Sequence, residues 1–208
     1  DIIKDRQYTA KADSQARRSC QTALYHIVET LVRLMAPVMS FTAQEIWPLV
    51  PGKRDEYVFT EMWYDLPEVN TSEKWNNDVW QQVSSVKNEV NRALEKSRND
   101  GVIGGSLQAD VVLYCSDELK SVLDNLEDEL RFVLLTSGVT VEALAGNEQE
   151  GVATEMESLR LAISASDGTK CDRCWHHRED VGSHAGHDDL CGRCVENVEG
   201  EGEKRNYA

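Results

Sequence analysis

No apolar run in this 208-residue chain is long enough to cross a membrane as a helix. No secretory signal opens it, so its six cysteines are predicted to be thiols in a reducing, cytoplasmic setting rather than disulfides. For the same reason Asn70-Thr71-Ser72, which matches a glycosylation triplet, reads as incidental. The Gly104-Gly105 pair lacks the Gly-Lys-Ser/Thr ending of a phosphate loop, and no strand is predicted before it. No internal repeat occurs. Positive charge is also short: 22 Lys and Arg stand against 37 Asp and Glu, for a net charge of −15. That balance argues against a general nucleic-acid binder. The deficit is uneven, with residues 1–50 at +1 and residues 111–166 at −8. Any RNA contact must therefore use a local face, with the acidic middle turned away. The chain begins with Asp1 in mid-pattern and reads as a piece of a longer protein.

What the chain does have is concentrated near its end. Cys171 and Cys174 form one Cys-x2-Cys knuckle, Cys191 and Cys194 a second, with sixteen residues between. Each knuckle can bring two sulfurs to one ion, and two knuckles complete a tetrahedron. The other uses of such a motif fit poorly. A redox dithiol needs a thioredoxin-like βαβ setting, and covalent haem needs His directly after the second Cys, where Trp175 stands. One structural zinc, held by Cys171, Cys174, Cys191 and Cys194, is the reading. His176, His177, His184 or His187 could replace one thiolate, but with four Cys present they read as exposed polar loop residues. With all four positions filled by protein, no place is left for an activated water, so the ion has no catalytic role. The tail has almost no apolar core, and the metal supplies the missing stability.

Upstream, residues 14–36 read as an amphipathic helix that buries Cys20, Ala23, Leu24, Ile27, Val28, Leu31, Leu34 and Met35 and stops at Pro37. A second helix is predicted from Thr42, with Thr42 and Glu45 as a capping box. A strand-like run covers 57–59, with Trp63, Tyr64 and Leu66 as packing residues. A third helix is predicted over 73–98, capped by Thr71 or Ser72, with Val79, Val83, Val86, Val90 and Leu94 buried. Strands are predicted at 109–114, 139–144 and 159–165, and a helix at 117–130. Cys20 and Cys115 fall at core-like positions. The fold class is mainly α: a helical domain over 1–98, a small α+β extension over 99–166, and a metal-binding module over 167–208.

Lys170-Cys171-Asp172-Arg173-Cys174-Trp175-His176, Leu190-Cys191-Gly192-Arg193-Cys194 and the ending Gly202 to Ala208 resemble the C-terminal end of bacterial isoleucyl-tRNA synthetases. Lys4 to Tyr8, Leu34 to Trp47 and Ile103 to Ala109 resemble that family's anticodon-binding region. The resemblance covers essentially the whole chain. It implies a helical anticodon-binding domain, a small α+β extension and a C-terminal zinc ribbon or finger. It also implies that the catalytic and editing domains, with their ATP and Mg2+, lie before Asp1; no Lys-Met-Ser-Lys-Ser signature occurs here. The implied role is to hold the anticodon arm of tRNA(Ile), as part of a monomer with no membrane contact. His184-Ala185-Gly186-His187 matches the family's ATP-binding signature but lacks the strand that must precede it, and reads as loop.

RNA loops are read by stacking on aromatics or guanidinium planes and by phosphate contacts. The candidate groups are Arg17 and Arg18 on the first long helix, and Arg173, Trp175, Arg193, Lys204, Arg205 and Tyr207 in the metal module. Arg173 and Arg193 occupy the same place in their knuckles and so can flank one surface. Trp175 is expected to pack under its knuckle. Two other functions compete: a zinc-dependent protein-docking module, and a DNA-repair module, because a similar finger ends some bacterial DNA glycosylases. Those glycosylases have a different upstream fold and a catalytic N-terminal Pro.

Overall fold

The computed structural model describes residues 2–69, 71–72 and 74–208. Asp1, Asn70 of the glycosylation-type triplet and Glu73, where the third helix was placed to begin, lie outside the described residues. In chain order the helices are α1 (Lys4–Tyr8), α2 (Gln15–Met35), α3 (Ser40–Ile46), α4 (Asn77–Asn99), α5 (Asp117–Asp124), α6 (Leu130–Leu134) and α7 (Gly192–Val198). The strands are β1 (Ala109–Cys115), β2 (Gly138–Ala143), β3 (Val152–Ala153), β4 (Leu159–Ala165), β5 (Thr169–Lys170) and β6 (His177–Arg178). Helix therefore predominates over strand. The residues form two compact units, Asp1–Ala16 with Thr71–Ala208, and Arg17–Asn70.

The larger unit is built around β1. Ala109, Val111, Leu113 and Cys115 alternate with half-buried Asp110, Val112 and Tyr114, the period of a strand with one face on the core. The sheet order is β2-β1-β4-β3. β1 and β2 run parallel, so α5 and α6 form the crossover between them; β4 is antiparallel to β1. α4 supplies Val83, Val86, Val90 and Leu94 to the same core as Leu113, Leu123, Leu130, Leu134, Leu159 and Leu161. A side chain of this size contributes about 1.5–3 kcal/mol when fully buried. α4, grouped with the helical segment from its sequence, thus packs on the sheet.

Several local expectations are corrected. α4 starts at Asn77, because the Asn76 side chain accepts the Val79 N–H at 3.1 Å and ends the preceding turn; Ser72 instead holds the Trp75 N–H. The helix expected over 117–130 is broken: α5 stops at Asp124, Glu127 takes a φ of 50°, and α6 begins at Leu130. Residues Val58–Thr60 form a 3-10 turn instead of a strand, with the Val58 N–H satisfied by the Gln44 side chain.

α2 meets its expected stripe only in part: Cys20 is buried, and in the smaller unit Val28 and Met35 pack on the core as expected. Val32 and Ala36 pack with Ala43, Trp47, Val50 and Val58. Ile27, Leu31 and Leu34, expected to be buried, are 49–53% exposed. The inward face is chosen by Glu29, whose buried carboxylate binds Arg33 and, at 2.8 Å, Arg54. Both guanidinium groups lie against the Trp47 ring, at 4.8 and 4.4 Å from its centroid. Burial alone would raise the Glu29 carboxyl; its bonds to Arg54 and Arg33 outweigh that and hold it at about 2. α3 begins at Ser40, so Thr42 lies inside it and the expected capping box does not form. Trp63 and Leu66 are exposed, also against expectation, while Tyr64 bonds His26 Nδ1 at 2.6 Å.

Gly168 marks the entry to the last module. A Cβ there would lie 2.7–2.9 Å from backbone atoms of Arg178 and His177. Backbone cannot swing aside as a side-chain tip can. Gly168→Ala is expected to lower stability by about 1–3 kcal/mol, read from denaturant midpoints. A midpoint equal to the parent's would contradict the close approach.

Candidate metal centre

The two knuckles close on each other. The four sulfurs of Cys171, Cys174, Cys191 and Cys194 all lie within 4.8 Å of one another, and all four residues are buried. Cys174 and Cys191 are 3.8 Å apart. Bonds of about 2.3 Å from a tetrahedral zinc to four sulfurs set neighbouring sulfurs about 3.8 Å apart. The donor set and spacing therefore fit the group. No histidine nitrogen joins the cluster among the described residues.

Local structure aims the sulfurs. The first knuckle is closed by the Trp175 N–H on the Cys171 carbonyl and the Cys171 N–H on the His176 carbonyl, each at 2.9 Å. The second stands at the start of α7, and the Cys191 N–H reaches the Cys171 sulfur at 3.4 Å. The Gly192 N–H bonds the Asp180 carboxylate at 2.8 Å, fixing the loop between the knuckles. Arg173 lies 3.8 Å from the Cys194 sulfur, where its charge offsets that of the thiolates. Val181 and Leu190 are the apolar residues packed on the cluster.

The neighbouring charges are mostly turned toward α1 and the tail. The Asp5 carboxylate takes both ends of the Arg193 guanidinium, at 2.7 and 2.9 Å, and Arg205 at 2.9 Å. Burial alone would raise Asp5, but these two arginines hold it at about 2. Arg193 is held well above its usual range, because the bonds to Asp5 outweigh the burial that opposes its charge. Arg205, with a side chain 2% exposed, lies 3.4 Å from the Phe132 ring centroid. Glu129 accepts the consecutive N–H groups of Asn206, Tyr207 and Ala208 at 2.6–2.8 Å. Arg6 donates to the Ala208 main-chain oxygen at 3.1 Å.

The candidate RNA-contact residues therefore divide. Arg193 and Arg205 are engaged in this buried network, and the Tyr207 ring packs tilted at 40° against Trp75 with centroids 4.7 Å apart. Arg173 donates to the Thr9 carbonyl at 2.7 Å, so it and Arg193 do flank one surface, which is α1. Lys204 and Arg18 are exposed, and Arg17 is half-buried on α2. Trp175 is corrected: it is 60% exposed instead of packed under its knuckle. Its backbone takes a φ of 67°, in the left-handed region. His176, expected in an exposed loop, is buried edge-on against Phe132 at 5.6 Å. His184 and His187 face each other across a one-bridge turn, and His187 bonds Glu199 at 2.8 Å. The sequence reading missed Asp5, Glu129 and Phe132. Their only signal was acidic or aromatic character far from the cysteines in sequence.

The helical part and the four-cysteine finger each match a known family. Residues 1–113 match the family described as the anticodon-binding domain of tRNA ligase, and the chain belongs to that family. Residues 168–197 match the zinc finger found in FPG and IleRS. The whole chain is 58% identical to isoleucine–tRNA ligases of Pseudoalteromonas atlantica and Aeromonas hydrophila, and 56% identical to that of Psychromonas ingrahamii. It spans 22% of the length of these relatives. No helix among the described residues is long and apolar enough to cross a membrane.

Proposed function

We propose that this chain is the tRNA-binding part of an isoleucine–tRNA ligase, acting in the cytoplasm, with one structural zinc on Cys171, Cys174, Cys191 and Cys194. The observation that carries this is the joining of an anticodon-binding family match to a sulfur cluster of zinc dimensions. The longer protein uses ATP and Mg2+ in catalytic and editing domains that lie elsewhere in its sequence, and joins isoleucine to tRNA(Ile). This chain holds the anticodon arm so that the acceptor end reaches that distant centre. Alone it forms no isoleucyl-adenylate. The exposed apolar groups Val38, Phe41 and Leu49 support contact of residues 17–70 with those domains.

For direct RNA contact, the exposed groups Lys204, Arg18 and Trp175 are the first candidates, and Arg17, Arg173 and Tyr207 are further ones. Arg193 and Arg205 serve by holding the finger, α1 and tail together. Lys204→Ala is expected to reduce the salt dependence of tRNA(Ile) binding by about one phosphate contact, roughly 0.7–0.9 in the log–log slope. Arg205→Ala is expected to act mainly on melting temperature. An unaltered slope for Lys204→Ala removes it from the contact set. Equal binding of tRNA(Ile), non-cognate tRNA and duplex DNA would remove the specific role, and binding to none would favour protein docking.

A further inference from the structure

A cavity of about 310 Å³ lies beside Phe132, lined by residues around α6, in the finger and in the tail. Its volume suits a small ligand, at the lower end of the range of about 300–1,000 Å³ for such sites. Four buried side-chain atoms without a hydrogen-bond partner belong to its lining: Arg131 Nη1, Arg205 Nη2, His176 Nδ1 and Asp180 Oδ1. Buried polar atoms are as a rule paired, because one left alone keeps the full cost of its lost hydration. Three of the four residues are enclosed: Arg131 is 4% exposed, His176 3% and the Arg205 side chain 2%.

The cations here are incompletely answered. Glu129 is spent on the three tail N–H groups, and Glu203 on Arg193 and the Asn197 amide. Arg205 holds Asp5 through Nη1 and the Ala208 oxygen through Nε, which leaves Nη2. Arg131 has Asp128 on its Nε at 2.9 Å, and that carboxylate side chain is 69% exposed. Arg178 also lines the cavity, and its guanidinium donates a long bond, 3.4 Å, to the Ser137 carbonyl. Burial, with the charges of Arg193 and Arg178, pushes Arg131 below its ordinary value against the pull of Asp128. The thiolate centre reaches the cavity through Cys174 and Cys191, and Arg173 answers it at 3.8 Å from the Cys194 sulfur. Neither Arg131 nor Arg178 bonds a sulfur among the described residues.

The unpartnered atoms are of two kinds, and together they narrow the ligand. The guanidinium edges call for an anion with bare oxygens. Asp180 calls for a donor: its Oδ2 takes the Gly192 N–H at 2.8 Å, and its Oδ1 takes nothing. A phosphate that keeps one O–H supplies both, accepting from the arginines and donating to the carboxylate. Sulfate and an RNA phosphodiester can only accept. Each would leave Asp180 Oδ1 unpaired beside a second negative charge.

We propose that the cavity bounded by Arg131, His176, Arg178, Asp180 and Arg205 binds one hydrogen-phosphate anion, free or as a phosphomonoester. The arginines hold its bare oxygens and Asp180 takes its hydroxyl. The site is separate from the RNA-contact candidates Arg18 and Trp175, and its ligand is not an RNA backbone.

The test is equilibrium dialysis of the zinc-loaded full chain against labelled inorganic phosphate, at neutral pH and constant ionic strength. The parent is expected to take up one phosphate saturably. Sulfate and dimethyl phosphate should compete at least about tenfold more weakly, since each leaves a buried carboxylate oxygen unpaired. Arg131→Met should weaken phosphate binding roughly ten- to hundredfold. Asp180→Asn should bring sulfate level with phosphate, because an amide N–H replaces the acceptor. It keeps an oxygen for the Gly192 N–H, so it tests the selectivity even where Arg131→Met fails to fold. Zinc content and melting identify the folded samples. AMP displacing phosphate one for one assigns the site to a phosphomonoester, and AMP without effect assigns it to the free anion. Absence of saturable phosphate in the parent overturns the proposal and leaves the cavity to water. Equal affinity of the parent for phosphate and sulfate also overturns it, as does unchanged phosphate binding in folded Arg131→Met.

Discussion

Stripping the metal from the full chain with a chelator is expected to unfold residues 168–200, while the sheet and residues 17–70 stay folded. The finger has no core to fall back on: its buried cluster is four cysteines with Val181 and Leu190 packed against it. Structural zinc in such modules supplies on the order of 10–16 kcal/mol near neutral pH. Leu113, Leu123, Leu134 and Leu161 belong to a separate core that the metal does not touch. The damage reaches beyond the finger, however. α1 is held to it by Arg173 on the Thr9 carbonyl, Arg193 on Asp5, and the Lys11 N–H on Asn197 at 3.0 Å. The amides of α1 should therefore lose protection together with those of α7. Cys174→Ser should do the same without a chelator. Hydrogen exchange read by mass spectrometry separates the segments, and full protection of α7 in metal-free chain would contradict the assignment.

Asp5→Ala should lower stability by about 3 kcal/mol, because it removes the nearest carboxylate from two buried guanidinium groups and leaves them the longer contacts of Glu203 and Glu129. Asp5→Asn removes the charge with less change of shape and exposes the pH dependence. The Asp5 carboxyl falls from an ordinary value of 3.8 to about 2 on folding. A carboxyl lowered in this way contributes stability that is complete above the unfolded value and is lost as pH falls through the folded one. The advantage of the parent over Asp5→Asn should be about 2–3 kcal/mol near neutral pH and shrink between pH ~4 and ~2. Denaturant titrations across that range test it; an advantage that stays constant down to pH 2 would contradict the ion pair. Glu29 carries the same sign in the smaller unit, and its window runs from about pH 4.5 to 2.

The metal ligands were legible because their spacing alone implies their geometry, and the structure brings all four together. β1 and β2 were legible as strand-like runs and β4 from alternation, each within a residue or two. Helix α2 was legible in length and only in part in facing: Cys20, Val28 and Met35 turn inward as expected, Ile27, Leu31 and Leu34 do not. Its apolar residues surround more than one face, and the inward side was decided by Glu29 meeting Arg54 from 25 positions away. The same limit hid Asp5 and Glu129, which are ordinary acidic residues until the tail returns to them. Trp175 was misjudged because hydrophobic type predicts burial only on average, and this ring is 60% exposed.

The most direct measurement is the affinity of the full chain for tRNA(Ile) against bound zinc, determined on the same samples. One zinc per chain, binding lost on its removal, and binding restored by adding zinc back are the predicted results. Unchanged affinity in chain shown to be free of metal would contradict the account of the four-thiolate site as the scaffold for RNA contact.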